Sequence, residues 1–154
     1  MFLSIKKIVY LMGLSVLLVG CSTGTFNDDM GVSGRHESNT DKGVRYLLGR
    51  GVPRDDTKAF YYFSQGAKED DPFAENELAY MYAAGKGTQR DYEQALKYYQ
   101  EAADHGLASA QYNLGLMYWN GMGAEPNRPL AMQWFKRSAA HGFLPAKKAL
   151  ARNG

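Results

Sequence analysis

Shifting the chain by 36 residues lays like over like. Tyr46, Tyr82 and Tyr118 coincide, as do Gly49, Gly85 and Gly121, then Gly51, Gly87 and Gly123. Ala59, Ala95 and Ala131 follow, and so do Ala67, Ala103 and Ala139. The aromatic pairs Tyr62-Phe63, Tyr98-Tyr99 and Trp134-Phe135 fall in the same register. A fixed period of this size is the mark of a solenoid, in which each unit hides its apolar face only against its neighbours.

Each unit reads as two helices. In the third, Ala110, Leu114, Met117 and Tyr118 form an apolar face at helical spacing, and Gly121-Met122-Gly123 ends the helix. Asn127 is placed to cap the next helix, with Pro129 in its first turn, where free N–H groups have no intrahelical acceptor. That second helix turns Ala131, Trp134, Phe135, Ser138 and Ala139 inward and stops at Gly142, a left-handed C-terminal glycine. Asp91 and Gly106 do the same in the second unit, and Asp71-Pro72 opens it. The expected fold is all-α: a short right-handed α-solenoid of about three helix-turn-helix repeats of 36 residues. The units run over about 38–73, 74–109 and 110–145, with a C-terminal capping helix at 146–152.

Ala110 to Gly115, then Tyr118, Gly121, Gly123 and Ala131 through Gly142, resemble a Sel-one-like repeat, a relative of the tetratricopeptide repeat. The second unit matches through Ala74, Leu78, Tyr82, Gly85-Lys86-Gly87, Asp91-Tyr92, Ala95, Tyr98-Tyr99, Ala102-Ala103 and Gly106. The first departs: Lys42 stands where leucine is expected, Gly66 replaces an alanine, and Asp70 replaces the terminal glycine. Those departures predict a frayed or capping first unit. As to function, the resemblance implies protein binding, since the family consists of interaction scaffolds, with no cofactor.

The chain opens with Lys6-Lys7 and an apolar run from Ile8 to Val19. Twelve helical residues rise roughly 18 Å, short of the roughly 30 Å hydrocarbon core of a bilayer, so 1–20 reads as a secretory signal segment. Leu18-Val19-Gly20-Cys21 resembles the lipobox of bacterial lipoproteins, and Cys21 is the only cysteine. The resemblance implies cleavage after Gly20 and acylation of Cys21. The alternative is a coincidental cysteine beside an uncleaved anchor. Ser22 stands where an inner-membrane lipoprotein carries aspartate, which by resemblance favours the outer membrane, facing the periplasm, in a Gram-negative cell. Residues 21–40 carry Gly24, Gly31 and Gly34 among many small polar residues and read as a flexible tether, leaving 41–154 for the solenoid.

Charge narrows the partner. Lys plus Arg number 18 against 16 Asp plus Glu. Loss of Lys6 and Lys7 with the leader leaves 16 against 16, with no surplus to displace counterions from nucleic acid. A lone cysteine excludes an intrachain disulfide framework and a multi-cysteine zinc site.

Candidate chemistry has plain structural alternatives. Gly85-Lys86-Gly87-Thr88 resembles the tail of a phosphate loop, but a helix precedes it and the equivalents of Lys86 are Arg50 and Met122, so an inter-helix turn is expected. His105 and His141 precede helix-ending glycines, where the dipole favours cations, and show no adjacent carboxylate pattern for a metal or a triad. Glu75 and Glu77 point to different helix faces. There is no Gly-x-Ser-x-Gly elbow and no His-Glu-x-x-His, so neither an enzyme nor a metal site is expected.

What remains is surface. Tyr112, Leu116 and Trp119 lie on one flank of the third unit's first helix, with Asn76, Tyr80 and Ala83 as their second-unit counterparts. Asn76, Tyr80, Tyr112, Leu116 and Trp119 are the expected partner surface, because first helices line the concave side of such solenoids and Tyr and Trp are enriched at binding hot spots. The alternative is packing against the adjacent unit. Two functions fit: a lipid-tethered scaffold of a cell-envelope complex, or, as in some lipoproteins of similar layout, an immunity protein that neutralises a secreted antibacterial phospholipase.

Overall fold

In each unit the turn between the two helices is closed by the same bond. The N–H of Asp55 donates to the Tyr46 carbonyl at 3.0 Å, that of Asp91 to Tyr82 at 3.0 Å, and that of Asn127 to Tyr118 at 2.8 Å. Each donor then caps the following helix with its side chain: Asp55 accepts from the Lys58 N–H, Asp91 from Glu93 and Gln94, Asn127 from Leu130. One residue thus ends the turn and starts the next helix.

The computed structural model describes residues 37–153, so the leader, Cys21 and the tether up to His36 lie outside the described residues. Those described form seven helices: α1 (Asn39–Leu48), α2 (Asp56–Ala67), α3 (Pro72–Ala84), α4 (Tyr92–Asp104), α5 (Ala108–Asn120), α6 (Arg128–Ala140) and α7 (Leu144–Asn153). No strand occurs among them. Each helix packs chiefly on the next in the chain, which makes an all-α repeat array: α1–α2, α3–α4 and α5–α6 are the three units, and α7 covers the last. Phe63, Leu78, Met81, Leu114, Met117 and Phe135 are almost wholly buried. Burying each such side chain contributes about 1.5–3 kcal/mol, and the repeated alanines between them let the helices close up.

The expectation of a frayed first unit is corrected. Helix α1 carries a full capping box: Ser38 Oγ accepts from the Asp41 N–H, and the Asp41 carboxylate accepts in return from the Ser38 N–H. Folded structure begins inside the stretch assigned to the tether. Thr40 Oγ1 donates to Asp71, tying α1 to the start of α3. Each departure has a local reason. A Cβ at Gly66 would sit 2.7 Å from the Cβ of Ala74, so glycine keeps α2 and α3 in contact. Lys42 is half-buried with its ammonium 5.9 Å from the centre of the Tyr62 ring. Asp70 takes the left-handed conformation, φ 56°, that Gly106 and Gly142 adopt at 87° and 84°. The Asp71 N–H still reaches the Gly66 carbonyl at 3.2 Å, as Leu107 reaches Ala102 at 3.1 Å and Phe143 reaches Ser138 at 3.2 Å. Aspartate occupies that region at a cost of about 1 kcal/mol relative to glycine.

Successive units share one recurring backbone contact. A Cβ at Gly87 would lie 2.1 Å from the Asp56 carbonyl oxygen, and one at Gly123 2.2 Å from that of Tyr92. The turn of one unit therefore rests on the start of the preceding unit's second helix. Gly51, the first-unit equivalent, has the same positive φ and no described neighbour within 4 Å. Gly51→Ala is expected to cost about 1 kcal/mol through backbone strain alone. Gly87→Ala and Gly123→Ala are expected to cost about 3 kcal/mol, strain plus a clash with rigid backbone. Urea midpoints at unchanged slope measure this, and equal losses at all three positions would refute the contact.

Candidate partner-binding surface

The 36-residue register sorts the exposed flank of the first helices into rows. One row runs Thr40, Asn76, Tyr112, Lys148, and a second runs Val44, Tyr80, Leu116, Arg152, with Leu47, Ala83 and Trp119 beside them. Tyr80 is the most open of the five expected partner residues, 40% exposed. It is also held: Lys86 Nζ donates to its hydroxyl at 3.0 Å and lies 4.9 Å from the ring centre. The glycine-lysine-glycine turn therefore supplies a brace for Tyr80, not a phosphate cradle.

The other four residues are spent wholly or partly on packing. Asn76 is a correction: it is only 8% exposed, and its Nδ2 donates to Glu77 at 3.0 Å while its Oδ1 accepts from Asn113 at 3.2 Å. It joins α3 to α5, and its polar atoms face those helices. Tyr112 is half-buried with ring centres of Phe135 and Phe143 at 5.5 and 5.6 Å. Leu116 and Trp119 pack on the cluster of Ala131, Phe135 and Ala149. The Trp119 ring lies 6.2 Å from Phe135 and carries the Arg128 guanidinium at 4.9 Å on its face. Each keeps a half-open edge. Beyond them lies a cleft of about 330 Å³ lined by Tyr112 of α5 and by Leu144, Pro145, Lys148, Ala149 and Arg152 of α7. Continuing the same register past residue 145 would have brought Lys148 and Arg152 onto this surface from sequence alone.

A larger cleft, about 430 Å³, opens between the first and second units beside Glu75 and His105. His105 Nδ1 and Glu75 Oε2 are 3.1 Å apart, and Glu75 is 2% exposed. This overturns the expectation that His105 has no carboxylate beside it: the two are 30 residues apart and meet only because α4 folds back along α3. Burial pushes the Glu75 carboxyl above its ordinary range, against the opposing pull of His105. A perturbed carboxyl and a histidine in a cleft have the look of acid–base machinery, but the equivalent places argue for a tie. In the first unit Asn39 donates to Glu69 at 2.7 Å, and in the third Gln111 donates to the Ala103 carbonyl at 3.2 Å. The position holds the first helix to the end of a second helix with whatever polar pair is present. Among the described residues no three His, Cys, Asp or Glu side chains form a group able to hold a metal.

The Sel1 repeat profile matches residues 40–71, 72–107 and 108–143. A Sel1 repeat protein from Oxalobacter formigenes is 36% identical over 74% of this chain and 86% of its own, with a TM-score of 0.67. A protective antigen of uropathogenic Escherichia coli strains, displaying an SLR fold, is 30% identical over 70% of this chain and 23% of its own, with a TM-score of 0.69. Cysteine-rich protein B of Helicobacter pylori shares the fold at 23% identity, covering 68% of this chain and 77% of its own, with a TM-score of 0.62. No curated protein matches.

The buried carboxyl has a measurable consequence. A group whose folded value lies above its ordinary 4.5 binds its proton more tightly in the folded state. Its contribution is therefore full below that value and is lost as pH rises through the raised one. Glu75→Gln, the residue the third unit carries at Gln111, is expected to flatten this fall in pH-dependent urea denaturation. An unchanged profile between wild type and variant would remove Glu75 as its source.

Proposed function

The chain belongs to the Sel1 repeat family, and from that premise we propose that it is a lipid-anchored, periplasm-facing interaction scaffold of the cell envelope. Sel1 repeat proteins are generally protein-interaction scaffolds. The observation that carries the reading here is Tyr80, an aromatic ring presented to solvent on the first-helix rows and fixed by Lys86. Holding it in place before binding reduces the entropy lost on docking. Tyr61 and Phe73, 57% and 62% exposed, add apolar surface on the first two units. The anchor rests on Leu18-Val19-Gly20-Cys21 and the apolar run before it. Several acyl chains on Cys21, each buried methylene contributing about 0.8 kcal/mol, would hold the tethered array at the membrane. No enzymatic step is assigned.

A photocrosslinker placed at Ala84, exposed one turn on from Tyr80, in the full chain tests the partner. It is expected to trap a protein in envelope extracts, and Tyr80→Ala is expected to reduce capture several-fold while changing stability by at most about 0.5–1 kcal/mol. Trp119→Ala is expected to cost roughly 2 kcal/mol through lost packing, so only Tyr80 separates binding from folding. The trapped protein's identity distinguishes an envelope component from a secreted phospholipase-type toxin. Loss of stability without loss of capture in Tyr80→Ala would reject the surface.

Cys21→Ser is expected to abolish incorporation of labelled palmitate and to leave residues 1–20 attached. Acyl label retained in that variant would rule out the anchor.

A further inference from the structure

The net charge conceals a division. All 16 acidic residues stand at or before Glu125, and beyond it come Arg128, Lys136, Arg137, Lys147, Lys148 and Arg152 with no acid among them. Every ion pair among the described residues lies earlier: Arg45–Glu37, Arg54–Asp56, Lys97–Glu101 and His105–Glu75. Among the described residues, the last unit and its covering helix thus carry six cations that enter no ion pair. Two of them rest on indole rings, Arg128 on Trp119 at 4.9 Å and Arg137 on Trp134 at 4.5 Å.

Lys148 and Arg152 flank the cleft that Tyr112 closes from α5, and Leu144, 60% exposed, stands in its lining. They are one period on from Tyr112 and Leu116, so the first-helix rows end in two positive charges. Residues four apart on a helix are about 6 Å apart along its axis. An extended chain repeats the side chains of one face every ~6.7 Å. Two carboxylates two residues apart therefore match Lys148 and Arg152, while the one residue between them faces the other way, toward the Tyr112 ring on α5.

We propose that the cleft between α5 and α7 docks an extended acidic segment of a protein partner, of the pattern acidic–apolar–acidic, with Lys148 and Arg152 holding the carboxylates and Tyr112, across the cleft on α5, the apolar side chain. This rests on the scaffold reading and names the chemistry of the partner. A bilayer surface fits less well, because the apolar side chains line a concavity and not a convex edge able to enter a headgroup layer.

The test is fluorescence anisotropy of a labelled peptide of alternating glutamate and leucine, titrated with the full chain in neutral detergent micelles. Binding is expected, weakening as salt screens the charges. K148E/R152E is expected to weaken it about tenfold, and R50E/R90E, the same change of charge elsewhere, less than about twofold. Should the reversal melt α7, as a circular dichroism melt would report, K148Q/R152Q is expected to give a loss of about threefold. A peptide of identical composition with its glutamates contiguous is expected to bind more weakly. The proposal is overturned if both peptides bind alike, or if the two charge reversals act equally. It also falls if the alternating peptide fails while phosphatidylglycerol in the micelles, or a short oligothymidine, raises the melting temperature of the wild type but not of K148E/R152E. A peptide failure alongside continued Tyr80-dependent capture would remove the cleft and leave the scaffold standing.

Discussion

The repeat architecture depends on the meeting of two backbones with no side chain between them. Gly87 and Gly123 press on the carbonyls of Asp56 and Tyr92 at a distance that admits no Cβ. This contact does more than terminate a helix. It fixes how far one unit stands from the next, and so whether side chains 36 residues apart line up as rows. With glycine there, Phe60 of the first unit meets Tyr82 of the second edge to face, ring centres 5.2 Å apart. A wider spacing would open the alanine-lined seams and forfeit the burial that a single helix pair cannot supply.

Around that fixed spacing the units differ by compensation. In the first and third units the ring of Phe63 or Phe135 lies within 2.7 or 2.5 Å of where a Cβ would stand on Gly43 or Gly115. In the second the ring is Tyr99 and its first-helix neighbour in register is Ala79, both buried. The polar tie varies too, amide to carboxylate, carboxylate to imidazole, amide to carbonyl. Interiors are packed too densely for such positions to drift one at a time, so each unit keeps its own matched set.

Much of the fold was legible in the sequence because its signals are local. The caps Asp71, Asp91 and Asn127 and the left-handed Gly106 and Gly142 are set by hydrogen-bond chemistry within a few residues. The first helix was misjudged because Lys42 and Asp70 depart from the repeat pattern, while its support comes from Asp41 and, across the fold, Asp71 and Glu69. The surface was legible in direction but not in depth. Helical periodicity shows that Tyr112, Leu116 and Trp119 point away from the Leu114 face; it does not show that Phe135, Phe143 and Ala149 rise to meet them. Asn76 and Glu75 were misread for the same reason, since their partners, Asn113 and His105, are about one repeat away.

Net charge says nothing of how the charges are arranged. A sum over the chain describes the field far from the molecule, where every unit contributes. At physiological salt that field decays over about 8 Å, while packed helix axes stand 8–10 Å apart. A surface on α7 is therefore governed by α7 and its immediate neighbours, and the carboxylates of the first unit are screened from it. In a globule folded back on itself, acids before Glu125 would have been free to neutralise cations after it. In an array where each helix meets chiefly the next, they are not. Charge segregated along the sequence remains segregated in space, and a repeat protein whose charges nearly cancel over the chain can present one acidic region and one basic region to different partners.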